Sequence, residues 1–484
     1  MKNPLQFPQN VSRSVRLAAL ALLVLSLAVS AQAQTVTAIA DFDGQAAYGP
    51  VAPIQAADGN FYGIAAGGVH GEGVIYQMTP SGRLSYVYSF CSQPKCADGE
   101  EGTSSPILGS DGSLYGVTSF GGSNGSGTIY KLTLDGKITI LYNFCPPTSC
   151  SGGTNSYGLM EGSDGNFYGT TFRGGDFHLG TIFRISPSGD FKVLYNFCSL
   201  ANCADGILPQ SPPIQGIDGN FYGVVTGGGS MQGGALYKLT PSGTYSVVRN
   251  FCSYTNSPCS GAQPESIVQD ASGNFFGVAE FGGGKNFGAI FEITSTHQYK
   301  TLRSFDSVTG YPLPGLTLGN DGNIYGKTEG NPSDLNGGTL FEVTPSGAFT
   351  RLYAFGFGSD CIVGDTPWWG PLFQGTDGIL YGANIYGGGS SCAGGGTVFA
   401  LDNGLSPLVK TAPTAGKVGK SVIILGNGLT GSTSVTFNGV AAAFTVVSDT
   451  YIKATVPAGA TTGVVSVVTP SGTLNSNPQF VVTK

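Results

Sequence analysis

Side chains suited to proton transfer are scarce in this sequence. There are three histidines, His70, His178 and His297. Only His178 has charged company close by, because Arg173 and Asp176 share its stretch of chain. A histidine beside a carboxylate is the equipment of general acid–base catalysis, although a solvated loop carries the same residue types. The run "GGSNG" (Gly121 to Gly125) fits the G-x-S-x-G pattern of a nucleophile elbow. That elbow needs a turn from strand to helix, and the flanking residues here read as two strands joined by a glycine loop. "GKVGKS" (Gly416 to Ser421) ends like a phosphate-binding loop, but Thr414 stands where the first glycine belongs. An Asp recurs in "DGN", yet each copy offers one carboxylate in a tight turn, whereas calcium takes about six to eight oxygens.

The ten cysteines are spaced as Cys91/Cys96, Cys145/Cys150, Cys198/Cys203, Cys252/Cys259, then Cys361 and Cys392. Zinc would need pairs converging on one ion. These pairs lie a whole repeat apart, and no histidine keeps step with them. In an exported chain they read as disulfides, four closed locally and one joining Cys361 to Cys392. The expectation is of no catalytic constellation, no metal and no cofactor.

Export is read from the first residues. Lys2, Arg13 and Arg16 precede an apolar run, Leu17 to Val29, and Ala31-Gln32-Ala33 then offers a small-residue cleavage pattern. Residues 1–33 read as a signal peptide, and no later stretch is apolar enough to span a membrane. Removing them takes away three basic residues and no acidic ones, so the net charge moves from −7 to −10. An acidic chain with no basic run is poorly suited to nucleic acid or an anionic membrane surface. Glycine is abundant, at 78 residues, but aromatics reach 11%, so there is much to bury and the glycines read as turns of a folded β protein.

The elements that must position any site come from a repeat. Copies begin at Asp58, Asp111, Asp164, Asp218, Ser272, Asp321 and Asp377, at intervals of 53, 53, 54, 54, 49 and 56 residues. Seven copies at this period mean a repeat architecture. Each copy reads as four short strands: one before the "DG" turn, then "NFYGTTF", then "GTIFRIS" after a glycine-rich loop, then "FKVLYNF" after a "PSG" turn. Four-stranded units in seven copies predict a seven-bladed β-propeller. "TVTAIADF" (Thr35 to Phe42) resembles a fourth strand with no strands before it, and the last copy has only a weak fourth strand. The N-terminal strand is therefore expected to complete the seventh blade and leave no open edge. The glycine-rich loops and cysteine-bearing connectors then share one face, the DG and PSG turns the other.

The pattern "DGNFYG…GGTIF.LTPSG…LYNF" resembles the GloVer tandem repeat of bacterial choice-of-anchor exported proteins, over residues 35–404 or so. The resemblance implies export and repeats, and brings no established activity or catalytic residue. After Asp402 the texture turns rich in Thr, Val, Ser and Gly. There "SVTFNGV", "ATVPAG" and "VVTPSG" resemble an IPT/TIG immunoglobulin-like domain, a small β-sandwich, over residues 405–484. The propeller is assigned residues 34–404.

The loop face mixes aromatic and polar groups: Phe120, Arg173, His178, Glu280, Phe281, Lys285, Lys327, Glu329 and Tyr386. Of these, Phe120, Arg173, His178, Phe281 and Tyr386 are the expected ligand contacts. The function expected is that of a monomeric, exported, non-enzymatic binding or structural protein, extracellular, on the cell surface or in the periplasm. Its partner would be a glycan or a protein. The competing class is an extracellular propeller enzyme acting on polysaccharide or peptide, which clustered acids or histidines in a central funnel would favour.

Overall fold

The computed structural model describes residues 35–44, 46–145, 150–253, 259–330, 336–356, 362–367, 370–389 and 394–483. The expected signal peptide and the expected Cys361–Cys392 pair lie outside the described residues. The third repeat shows the unit. Strands a (Thr154–Glu161), b (Phe167–Arg173), c (Thr181–Ile185) and d (Phe191–Asn196) form one antiparallel sheet in that order. Strand b is buried through its first five residues because it is flanked on both sides, while strand d stays partly exposed at the outer edge. Among the described residues there are seven such four- or five-stranded sheets ahead of the C-terminal region, and helix is confined to short 3-10 turns. The all-β expectation holds, and the repeat region is propeller-like. Thr35–Asp41 pairs antiparallel with Thr397–Asp402, so the N-terminal strand lies at the outer edge of the seventh sheet, next to that repeat's strand c.

The motif F-Y-G at the start of strand b explains how sheets join. The Tyr of one repeat meets the Phe of the next: Tyr115 on Phe167 at 4.0 Å between centroids, Tyr168 on Phe221 at 4.1 Å, Tyr222 on Phe275 at 4.7 Å. The same contact joins Tyr381 of the seventh repeat to Phe61 of the first, at 4.6 Å. Where the Phe is replaced, Leu114, Ile324 or Leu380 fills the place in the same apolar seam. The glycine is required by close approach: a Cβ on Gly169 would lie 2.4 Å from the Phe183 ring, which caps it from strand c. A second line of contacts follows at the end of strand a. Gln215 Oε1 accepts the Ser163 N–H at 2.9 Å, Gln269 Oε1 accepts that of Ile217 at 2.9 Å, and Gln55 Oε1 accepts that of Thr376 at 3.2 Å, again linking last repeat to first.

Residues 410–483 form an Ig-like sandwich. One sheet holds Lys410–Ala412, Ser421–Leu425, Tyr451–Thr455 and Phe444–Ser448 in that order; the facing sheet holds Val440–Ala441, Ser434–Phe437, Val465–Thr469 and Gly472–Asn475. Alternate residues such as Val422, Ile424, Val435, Phe437, Ile452 and Val467 fill the core between them. This domain docks on the turn face of the repeats. Ala412, Ile423 and Leu425 pack on Ala57 and Leu108. Thr450 Oγ1 donates to Ala57 O (3.1 Å), Asn477 Nδ2 to Leu318 O (2.8 Å), and the Leu408 N–H to Thr376 O (3.0 Å). Contacts with the first, second, sixth and seventh repeats carry it across the inner ends of the strands.

Phe42 follows the N-terminal strand, is buried, and meets Tyr76 of the first repeat edge-on at 5.2 Å. Phe42→Ala is expected to cost about 3–5 kcal/mol, as buried Phe truncations do. Urea denaturation of the mature protein checks this. A loss below about 1 kcal/mol would mean that the first repeat does not depend on the N-terminal segment.

Candidate functional site

On the turn face the recurring Asp is structural. Asp164 Oδ1 accepts the Asn166 N–H at 3.1 Å, closing an Asx turn, and Oδ2 accepts the Tyr168 hydroxyl at 2.9 Å. The same Asp–Tyr bond forms in five other repeats, from Asp58, Asp111, Asp218, Asp321 and Asp377. Burial first, then the Asp hydrogen bond, holds hydroxyls such as that of Tyr115 far above the usual phenol range. In the fifth repeat both partners are missing together: Ser272 replaces the Asp and Phe276 the Tyr. Asp270 takes over the turn there, accepting the N–H groups of Ser272 and Asn274. Among the described residues the one trio with metal-ligand spacing is Cys91, Cys96 and Glu100, and its two sulfurs are joined to each other.

On the loop face the glycine-rich loops are pinned from two sides. The Asn of "LYNF" accepts a loop N–H: Asn143 from Ser123 at 2.8 Å, Asn196 from Asp176 at 3.2 Å, Asn250 from Ser230 at 2.8 Å. Four disulfides close as expected, Cys91–Cys96, Cys145–Cys150, Cys198–Cys203 and Cys252–Cys259. In three of these loops the second cysteine's carbonyl accepts a glycine-loop N–H: Cys96 from Gly122 (2.8 Å), Cys150 from Gly175 (2.9 Å), Cys203 from Gly229 (2.9 Å). A buried carboxylate completes two of them. Asp98 accepts the Tyr88 and Ser92 hydroxyls and the Ser92 and Gln93 N–H groups, and Asp205 does the same for Tyr195, Ser199 and Leu200.

The expected contact residues fall into a pattern. Phe120, Arg173, Phe281 and Tyr386 are each the last residue of strand b, so they occupy equivalent places around the loop face in the second, third, fifth and seventh repeats. Phe120 is 46% and Tyr386 60% exposed. Arg173 is exposed with its guanidinium 5.6 Å from the Phe172 ring, and Phe281 is half-buried. His178 is exposed in the loop after Arg173, but Asp176 is tied to Asn196 Nδ2 at 2.9 Å, and no hydrogen bond joins it to His178 among the described residues. The three histidines stand in three different repeats, His297 on the turn face. Lys327 is not a surface residue: it sits buried in strand b of the sixth repeat, Ile324–Thr328, facing the core rather than the solvent. Val69, Phe177, Met231 and Tyr311 extend the exposed apolar fringe of the loop face.

Two features were missed in the sequence. The first is a cavity of about 320 Å³ where strands a of all seven repeats converge, lined by residues 51–54, 103–107, 157–159, 210–212, 265–266, 314–315 and 370–373. Glu265 is the one acidic or basic side chain in that lining. It sits at a β-bulge between the pairs Pro264–Ala279 and Ser266–Val278, which turns it out of the ladder. Burial, and then Glu280, pushes its carboxyl up to about 8. The signal was a charged residue in "QPESIV" at an inner-strand place where the third repeat has Tyr157. The second is a cavity of about 270 Å³ at the domain junction, lined by Ser110, Glu161, Asp164, Pro413 and Lys420 among others. Here Glu161 replaces the recurring Gln of strand a, accepting Ser110 N–H at 2.8 Å and Ser110 Oγ–H at 2.5 Å. Burial, reinforced by Asp111 and Asp164, raises its carboxyl to about 7.

With this geometry in view, the relatives can be placed. The Gloeobacter/Verrucomicrobia repeat matches residues 27–151 and 102–334, and the IPT/TIG domain matches residues 405–482. The chain belongs to the Gloeobacter/Verrucomicrobia repeat family. No curated protein matches its sequence. Similar solved structures include a protein of unknown function from Bacteroides thetaiotaomicron, 15% identical over 76% of each chain, TM-score 0.38. The PQQ-bound aldose sugar dehydrogenase of Streptomyces coelicolor is 12% identical over 76% of this chain and 98% of its own, TM-score 0.37. PorZ, a surface component of the type-IX secretion system of Porphyromonas gingivalis, is 12% identical over 87% of this chain and 64% of its own, TM-score 0.34. Likenesses this distant transfer no activity to this chain.

Glu161 generates a pH prediction. A carboxyl whose folded value is raised from 4.5 to about 7 favours folding while protonated. Its contribution is complete below 4.5 and is lost as pH rises through about 7. Glu161→Gln supplies the side chain that four other repeats use, at Gln55, Gln215, Gln269 and Gln374, and keeps an acceptor for Ser110. It is expected to remove that slope and to stabilise the protein at pH 8 by roughly 1–3 kcal/mol. Melting curves at pH 5 and pH 8 check this; a variant no more stable than the parent at pH 8 refutes it.

Proposed function

We propose that the protein is an exported, non-enzymatic binding protein, built as a closed seven-bladed propeller whose loop face holds an extracellular carbohydrate. The ring reading is supported by the contacts between seventh and first repeats: the strand pairing of Thr35–Asp41, the Tyr381–Phe61 contact and the Gln55–Thr376 hydrogen bond. Export is supported by the four disulfides, which persist in oxidising compartments.

The observation that carries the binding reading is the set of exposed rings on the loop face, Phe120 and Tyr386 at equivalent places and Phe177 in the glycine-rich loop of the third repeat. A lone ring set among glycines and amides presents a flat apolar face next to hydrogen-bonding groups, which matches the two-sided chemistry of a sugar ring. Pinned, cross-linked loops lose little freedom on binding. The hydrolase alternative would need a second acid or base within reach of Glu265, and the other described residues of that cavity offer only the phenol of Tyr157.

A glycan array probed with the mature protein is expected to give hits. Phe120→Ala with Tyr386→Ala should weaken them by roughly five- to 150-fold, since aromatic contacts are worth roughly 0.5–1.5 kcal/mol each, with little change in melting temperature. Unchanged binding would overturn the assignment to this face. Turnover of a polysaccharide that His178→Ala abolishes would replace the binding reading with the enzymatic one.

A further inference from the structure

We propose that the axial cavity is a second binding site, one that takes a primary ammonium on a compact apolar stem, with Glu265 as its counter-ion. Glu265 is 7% exposed, lines the cavity, and has no hydrogen-bond partner among the described residues. A buried carboxyl left without a partner is costly, so such groups are normally paired or bonded. No described Lys or Arg lines the cavity, so burial keeps Glu265 largely protonated at neutral pH, and a cation entering the cavity would meet a carboxyl able to ionise against it. The bulge at Glu265 is what turns the side chain inward, at a place where a regular ladder would have continued.

The walls define the rest of the ligand. Pro53, Pro106, Pro212, Pro314 and Pro371 present C–H surfaces and no side-chain donors, from five different repeats. Polar side chains such as Ser104, Gln210 and Ser211 also line the cavity, while the Thr103 and Ser105 hydroxyls already donate to the carbonyls of Ser156 and Ala52, so an alkyl or aryl stem with a single polar head matches the wall better than a ring hydroxylated all round. About 320 Å³ admits a stem of a few carbons or one ring, near the lower end of small-molecule sites, which run from about 300 Å³ upward. Glu280 lies on strand b of the fifth repeat and Glu329 directly after strand b of the sixth; beyond the effect of burial, Glu329 raises the carboxyl of Glu280 and Glu280 that of Glu265. This acidic approach favours cations over anions. The ammonium can come from a free amine or from a lysine side chain, and these two sources can be told apart.

The test is calorimetric titration of the full mature protein with benzylamine, with the neutral isostere benzyl alcohol, and with Nα-acetyl-lysine methylamide. The expected result is saturable binding of benzylamine, at least tenfold weaker binding of benzyl alcohol, and loss of that preference in Glu265→Gln. Binding of the lysine derivative tighter than benzylamine assigns the site to a protein side chain; weaker binding assigns it to free amines. Equal binding of amine and alcohol to the unmodified protein overturns the proposal without reliance on any variant, as does the absence of saturation by either amine. An unaltered preference in a folded Glu265→Gln protein also overturns it.

Discussion

The contact between a tyrosine of one repeat and the phenylalanine or leucine-type residue of the next sets the spacing of the whole repeat region. Stacking two large rings across a seam buries much apolar area, but it also drags a phenol into a partly dry place. The hydroxyl must then be satisfied, and the Asp of the adjoining turn does it while shaping that turn. Turn, strand and seam are thus tied through one side chain. The fifth repeat shows the coupling from the other side. With Phe276 there is no hydroxyl to satisfy, Ser272 takes the place of the Asp, and Asp270 organises the turn instead. Either change alone would leave a polar group or a turn without its partner.

The two faces differ because their loops answer to different constraints. The turn face repeats one geometry, since the DG turn holds a tyrosine hydroxyl in six of the seven repeats. The loop face has no such duty, and its segments differ in length and side chain. What keeps them ordered is external support: the asparagine at the end of strand d, and carbonyls of the disulfide loops receiving glycine N–H groups. Short cross-linked loops with buried carboxylates at Asp98 and Asp205 act as braces beside the glycine loops.

Much of this was legible in the sequence, for physical reasons that differ by feature. The period, the four strands per unit, the outer place of Thr35–Asp41 and four cysteine pairs follow from local patterning, and local patterning survives in one dimension. The loop-face placement of Phe120, Arg173, His178 and Tyr386 followed from strand alternation. Lys327 shows where that reasoning stops, because alternation says which side a residue faces and not how deep the neighbouring repeat reaches over it. Glu265 and Glu161 were missed for a related reason. Their environments are made by residues some fifty positions away or by a bulge, and the one trace in the sequence is a charge out of step with the other repeats. The asparagine of "LYNF" recurred in plain view, but only the fold gives it a partner.

The C-terminal domain holds the turn face largely through main-chain acceptors, the carbonyls of Ala57, Leu318 and Thr376. Every amino acid carries that carbonyl, so these bonds read the path of the backbone, while Leu108 and Phe373 add side-chain contacts that depend on identity. Turn residues away from those side-chain contacts can drift from copy to copy without releasing the domain, provided the curve of the turn is kept. An attachment of that kind is portable: the same module could seat itself on any array whose turns follow the same curve, whatever its loop face has diverged to recognise.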